Sequence, residues 1–259
     1  MSNPLVSIIM PAYNAEKYIY ESINSVVEQT FKNWELIVVD DRSCDGTRDI
    51  LEEFSLKDSR IKPIFKESNG GKPSIAKNCA YDVISGDFIA FLDSDDLWMR
   101  EKLEKQVKAI ESSNYKLCYT GGYLIDEDGN ELGSFLPKYE NGYIFKKMLF
   151  RYEINNQSVL IKKDVFRKFN ENITIGEDYN LFMEIIFNHK VCNIKEKLIK
   201  YRVHNKSITR SSGRDLSDGT LVTLKELNEK YNIMKKYPLE YFISLIRAYR
   251  FKLYVGTKT

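Results

Sequence analysis

Three short apolar runs, each ending in polar or acidic residues, most constrain what this chain can fold into. They are Val6–Met10 in "VSIIMPAYN", Leu36–Val39 in "LIVVDD" and Phe88–Leu92 in "FIAFLDSDD". None alternates cleanly between apolar and polar residues, so each suits a strand buried on both faces. Helical patterns lie between them. Ile19, Ile23, Val26 and Val27 share one helix face, with Asn14 as a candidate N-cap. A second helix is expected over about 47–56, after the turn signal Asp45-Gly46. A third carries Ile75, Cys79 and Val83, with Pro73 in its first turn and Gly86 at its end. "RIKPIF", residues 60–65, suits a short strand, and Pro63 suits a sheet edge. Pro11 is expected to break the first strand. Such alternation predicts an α/β fold, with a mostly parallel sheet covered by helices on both faces.

In sheets of this kind, ligands gather beyond the carboxyl ends of the strands. "PAYN", "DDRS" and "DSDD" should therefore share one rim. Asp93 and Asp95 are two residues apart and face one side if extended geometry continues. Clustered carboxylates repel unless one is protonated or a cation joins them. Oxygen ligands suit magnesium or manganese. The only histidines are His189 and His204, and the four cysteines (Cys44, Cys79, Cys118 and Cys192) are scattered. That composition disfavours zinc and a disulfide framework, and suits reduced thiols in a cytosolic protein. A solvated strand end remains the plainer reading of the spacing alone.

The second half is less regular. A helix with Leu103, Val107 and Ile110 precedes a strand near Leu117–Thr120. "IDEDGNE", residues 125–131, reads as a hairpin turn rather than a calcium site. "NQSVLIKKDVF" suggests a strand and a short helix. "GEDYNLFMEIIFNH" reads as a helix from about Tyr179, with Asp178 just before it or in its first turn. "KLIKYRVHNKSITR" is a strand running into a polar loop. The aromatic run "FLPKYENGYIFKKMLFRY" either lines a sugar site or packs an insertion.

Overall charge is nearly balanced, 39 basic against 37 acidic residues. The halves differ: residues 1–189 carry a net −8 and residues 190–259 a net +10. A basic end fits an anionic surface, and no nucleic-acid reading motif accompanies it. "YPLEYFISLIRAYRFKLYVGTKT" has apolar Tyr241, Phe242, Leu245, Ile246, Tyr249 and Leu253 beside Arg247, Arg250 and Lys252. It reads as a basic amphipathic helix. Contact with anionic lipid, packing on the core and a homodimer interface stay open for it. No basic leader or signal-like stretch opens the sequence, and no apolar run reaches the length of a membrane span. A cytoplasmic protein, soluble or peripheral on the cytoplasmic face of a membrane, is expected.

The ordered set "VSIIMPAYNAEKYIYESINSVVEQTFKNWELIVVDDRSCDGT", "NGGKPSIAKNCAYDVISGDFIAFLDSDD", "GEDYNLFMEII" and "YRVHNKSIT" resembles glycosyltransferase family 2, inverting nucleotide-sugar-dependent enzymes of the GT-A fold. It covers roughly residues 4–210. The resemblance implies a Rossmann-like catalytic unit over 1–210, with a nucleotide-sugar half at about 1–100 and an acceptor half at about 101–210. A basic helical extension, 211–259, would follow. Pro11 and Tyr13 would lie along the nucleoside, and Asp40 would accept from a uracil imide. Asn69, Gly71 and Lys72, with Lys77, would lie by the ribose and pyrophosphate. Lysine at 77 departs from the family's usual arginine and loses its fork geometry. "DSD" matches the DXD motif: Asp93 and Ser94 would meet the donor, Asp95 would be the main ligand of Mn2+ or Mg2+, and Asp93 and His204 would approach the metal. Asp178 would be the general base, with Glu177 orienting it or meeting the acceptor. The polar loop around His204 would close over the donor. The substrates implied are a UDP-sugar and an oligosaccharide or lipid-linked glycan of a bacterial surface polymer.

Taken singly, these residues have plainer readings: turn caps at Asp40 or Asp41, a bare loop at Asn69–Gly71, helix-start charges at Glu177 and Asp178, and solvated side chains at Lys72, Lys77 and His204. A nucleotidyltransferase and a non-catalytic carbohydrate-binding scaffold are the competing functions. The first lacks a glycine-rich basic loop after "VSIIMPAYN", and the retained Asp95 and Asp178 count against the second.

Overall fold

The structure, a computed structural model, describes residues 3–204 and 216–256. The apolar runs become strands of one sheet: β1 (Val6–Ala12), β2 (Trp34–Asp40), β3 (Ile61–Phe65) and β4 (Phe88–Phe91). Their order is β3-β2-β1-β4, all parallel, with β3 and its Pro63 at the edge. Helices α1 (Ile19–Val27), α2 (Thr47–Lys57) and α3 (Pro73–Tyr81) connect them.

Pro11 does not end β1. The strand continues to Ala12, paired with Asp40 of β2. Pairing with β4 stops at Ile9↔Phe91, so the absent N–H of Pro11 falls beyond that ladder. Asn14 does not cap α1 either. The helix starts at Ile19, while Asn14 sits at φ 47° in the preceding turn. Helix α3 stops at Tyr81, short of Gly86, whose N–H donates to Ser7 Oγ.

Beyond β4 the sheet is mixed, as a mostly parallel mixed sheet requires, but among the described residues only four of its eight strand pairings are parallel. Strand β5 (Leu97–Trp98) is followed by α4 (Lys102–Glu111), β6 (Leu117–Ile125) and β7 (Glu131–Phe135). Then come α5 (Phe145–Phe150), β8 (Leu160–Lys162), α6 (Glu177–Asn188) and β9 (Val191–Arg202). The sheet continues β4-β8-β6-β9-β5, and β7 pairs β6 as the second arm of the expected hairpin. Only β6–β9 is parallel in this half.

Two apolar clusters cover the two faces. One holds α1, α2 and α4 against the sheet through Ile23, Leu51 and Leu103. The other gathers α3, α5 and α6 through Ala80, Met148 and Phe182. Helices α7 (Leu216–Tyr231), α8 (Ile233–Lys236) and α9 (Pro238–Gly256) follow. Leu224, Leu227 and Ile233 are buried in that second cluster, so the carboxyl-terminal helices share its core with α3, α5 and α6. No helix among the described residues is long and apolar enough to cross a membrane. The loop 205–210 expected to close over the donor, the 210/211 boundary, and the side chains of Lys252 and Leu253 lie outside what is described.

Candidate active site

Strands β1, β2 and β4 are parallel, so their carboxyl ends bring the three polar turns to one rim. The first two turns are stitched together. Asn14 N–H donates to Ser43 Oγ at 2.9 Å, and Cys44 N–H donates to Asn14 Oδ1 at 2.9 Å. Pro11 is partly exposed, and Tyr13 is 54% exposed on this rim.

Asp40 is not open to the rim. Its side chain is fully buried, 2.7 Å from Arg48 Nε, and accepts from Ser43 N–H. Arg48 also donates to the Lys66 carbonyl, so this carboxylate ties β2 to α2 and to the end of β3. The base contact implied by the resemblance thus falls on a carboxylate enclosed by Arg48 and Ser43. The adjacent Asp41 reaches the 66–71 loop instead, pairing with Lys66 and accepting Gly70 N–H at 2.8 Å. Asn69 donates to the Asp41 carbonyl and accepts from Gly71 N–H at 2.6 Å. Gly71 has φ 70°, which favours glycine. Lys72 reaches across to the Glu171 carbonyl at 2.7 Å.

The centre of the site is a charge cluster in which Lys77 and Glu177 are buried and Asp93 and Asp178 half-buried. Gly176, at φ 90°, precedes α6 and lets Glu177 and Asp178 occupy its first turn. Lys77, from α3, is 3% exposed and lies 2.9 Å from Glu177 Oε1. It is therefore not a solvated lysine, and its ammonium is committed to Glu177. Burial opposes its charge, but Glu177, Asp93 and Asp178 hold its pKa above the ordinary value. Burial pushes Asp93 up to about 7, with Lys77 opposing and Asp95, Glu177 and Asp178 adding. Asp178 is also raised, by burial first and then by Glu177, against Lys77.

The strand-end acids divide their work. Gln157 donates to Asp93 Oδ2, and the Ser94 carbonyl accepts from Ser22 Oγ at 2.9 Å. Asp95 keeps its side chain 30% exposed, with Oδ2 2.8 Å from His204 Nε2. Asp96 is buried and accepts Arg202 N–H at 2.6 Å, which ties the turn to β9.

Asp95 and His204 fit a divalent cation. Two ligands about 2.1 Å from one ion in neighbouring octahedral positions stand about 3 Å apart, close to the spacing seen here. Among the described residues no three His, Cys, Asp or Glu side chains form a complete metal cage. Magnesium-type sites ordinarily complete their shell with substrate phosphate and water.

Three residues escaped sequence reasoning. Gln157 carries no motif of its own. Arg202, two residues before His204, is 2% exposed. Its guanidinium donates to the carbonyls of Asp95, Asp126 and Glu127 and pairs with Glu21. Tyr152 ends the aromatic run, of which Tyr139, Phe145 and Tyr152 join the second cluster. Its ring meets Tyr179 edge-on at 4.8 Å, beside Asp178, and its buried hydroxyl has no hydrogen-bond partner among the described residues.

Comparisons with known proteins agree with this architecture. The family model described as "Glycosyl transferase family 2" matches residues 7–169. A 218-residue match is 39% identical to the UDP-Glc:alpha-D-GlcNAc-diphosphoundecaprenol beta-1,3-glucosyltransferase WfgD of Escherichia coli, covering 83% of this chain and 84% of WfgD. The putative teichuronic acid biosynthesis glycosyltransferase TuaG of Bacillus subtilis is 35% identical over 208 residues, 80% of this chain and 82% of TuaG. S. aureus TarS 1-349 in complex with UDP-GlcNAc superposes with a TM-score of 0.70 at 22% identity, over 86% of this chain and 66% of that one. At that identity the likeness speaks for the fold. The chain belongs to glycosyltransferase family 2 and is a glycosyltransferase.

Proposed function

We propose that this glycosyltransferase moves a hexosyl or N-acetylhexosaminyl group from a UDP-sugar to a hydroxyl of a lipid-linked glycan, inverting the anomeric centre, on the cytoplasmic face of a membrane. The observation that carries this reading is Asp178. It stands in the first turn of α6, inside the same charge cluster as Asp93, with a pKa raised by burial. The donor and acceptor classes are supported by the name of WfgD and the teichuronic-acid setting of TuaG.

On the donor side, Pro11, Tyr13 and the Asn69–Lys72 loop offer the nucleoside and diphosphate a surface. Asp40 supports that surface from behind through Arg48. Asp95 and His204 would hold Mn2+ or Mg2+, with Asp93 beside them. When bound, the cation supplies positive charge for the departing diphosphate.

The chain's own residues do the rest. Asp178 accepts the proton of the acceptor hydroxyl as that oxygen attacks the anomeric carbon from the side opposite the diphosphate. A raised pKa makes this carboxylate a stronger base than an exposed aspartate. Lys77 opposes the rise. Glu177 keeps Lys77 in place. Gln157 orients Asp93, and Arg202 fixes the backbone of the turn bearing Asp95. No covalent intermediate is required.

The test is a transfer assay with UDP-, GDP- and dTDP-sugars, a polyprenyl-diphosphate glycan acceptor and Mn2+. Acceptor-dependent UDP release is expected from a UDP-hexose or UDP-N-acetylhexosamine. Direct Mn2+ binding in the presence of UDP should weaken about 10–100-fold in Asp95→Asn. Absence of transfer across the panel, or full activity of Asp95→Asn, contradicts the reading.

A further inference from the structure

Helix α9 settles less of its surface against the core than its composition demands. Tyr241 and Leu245 pack on the core cluster, and Ser244 and Ala248 are buried beside them. A second apolar row stays open to solvent: Leu239 is 65% exposed, Phe242 50%, Ile246 53% and Tyr249 53%. Their spacings of three, four and three residues hold them within an arc of about 80°, roughly 130° round the helix from the packed face. The helix thus presents two apolar faces, and the protein covers one.

We propose that the open row is a docking surface for an anionic lipid bilayer, with α9 lying in the plane of the headgroups. Charge selects this occupant. From Lys235 to the end of the chain there are six basic residues and one acid, Glu240. Lys235, Lys236 and Arg250 are exposed, and Arg250 borders the apolar row. Glu240 is turned inward, 12% exposed, towards Lys146 at 3.4 Å. The surface at the row is therefore cationic. Two copies meeting through the same row would bring these cations together, whereas anionic headgroups would neutralise them while the apolar side chains enter the acyl boundary. Arg247 holds the helix in this orientation by donating to the Phe150 carbonyl and lying 4.9 Å over the Phe150 ring.

This surface deepens the proposed reading of a lipid-linked acceptor, but its test does not depend on catalysis. The full chain is sedimented with phosphatidylcholine vesicles and with vesicles also containing phosphatidylglycerol, without acceptor. Binding is expected only to the anionic vesicles, and about 1 M salt should release it. Phe242→Glu/Ile246→Glu should weaken partitioning about tenfold or more, and Arg250→Glu should weaken it to a smaller degree. Both should keep the wild-type melting temperature, because the substituted side chains are exposed. Absence of binding to anionic vesicles, or unchanged binding by the double variant, overturns the proposal. So does a concentration-dependent dimer that the double variant abolishes, which would assign the row to a second copy. Vesicle binding without sugar transfer would sink the catalytic reading and leave this one standing.

Discussion

Lys77 Nζ lies 2.9 Å from Glu177 Oε1, across a hundred residues of chain, and neither side chain is more than 7% exposed. The pair joins α3, which follows the 66–71 loop, to the helix carrying Asp178. Its value comes from compensation: without Lys77, the buried Glu177 and the half-buried Asp178 and Asp93 would lose the ammonium they share. Lys77→Met should therefore cost about 3–5 kcal/mol of stability, measured by denaturant unfolding. It should also raise Asp178 further and move the rising limb of the pH–rate profile to higher pH. Lys77→Arg should restore much of both, since it keeps the charge. An unshifted profile in a folded Lys77→Met would show that the lysine does not act on the base.

Asp178 must be ionised to accept a proton, and its pKa is raised. Activity should accordingly rise with pH through that raised value rather than through the ordinary aspartate range. Asp178→Asn should lower kcat about 10²–10⁴-fold and remove this limb, with little change in Mn2+ or UDP binding. Full activity of the variant at any pH would exclude Asp178 as the base.

The Tyr152 hydroxyl, without a hydrogen-bond partner among the described residues, gives a separate expectation. A buried polar group without a partner is costly, so Tyr152→Phe should leave stability unchanged or raise it by up to about 1 kcal/mol. If the hydroxyl meets a sugar hydroxyl in the complex, the same change should lower kcat/KM for the acceptor about tenfold. Thermal unfolding and acceptor kinetics on one preparation distinguish these effects. Unchanged kinetics would mean that Tyr152 serves packing alone.

Far from the site, Glu35 sets an acid limit on the sheet. Although burial works against it, Lys62, Ser7 and Ser85 lower it to about 2. Its folded pKa lies below its unfolded one. Its contribution is therefore present above about 4.5 and is lost as pH falls from there through about 2. Glu35→Gln should cost about 2–3 kcal/mol at neutral pH and flatten this part of the stability curve. Urea unfolding at pH 7, 4 and 3 measures both effects, and an equally steep acid limb in the variant would count against this assignment.

The sequence by itself determined the donor-side framework. Its continuous apolar runs can only be buried strands, the helical faces between them demand parallel crossovers, and the polar residues after each run must then meet at one rim. Pro63 marked the edge strand, and the ordered motifs identified the family. The rest depended on partners far away in the chain. Asp40 and Asp41 are neighbours with the same chemistry, yet one is enclosed by Arg48 and the other turns to Gly70. Lys77 looks like any helix lysine until α6 is laid against it, and Arg202 acquires its role only when β9 passes the Asp95 turn. The tail is similar. A period near 3.6 specified an amphipathic helix, but only docking decided which of its apolar faces the core would cover and which would remain open. Periodicity is a local property of a chain, whereas burial and the pairing of charges belong to the packed whole.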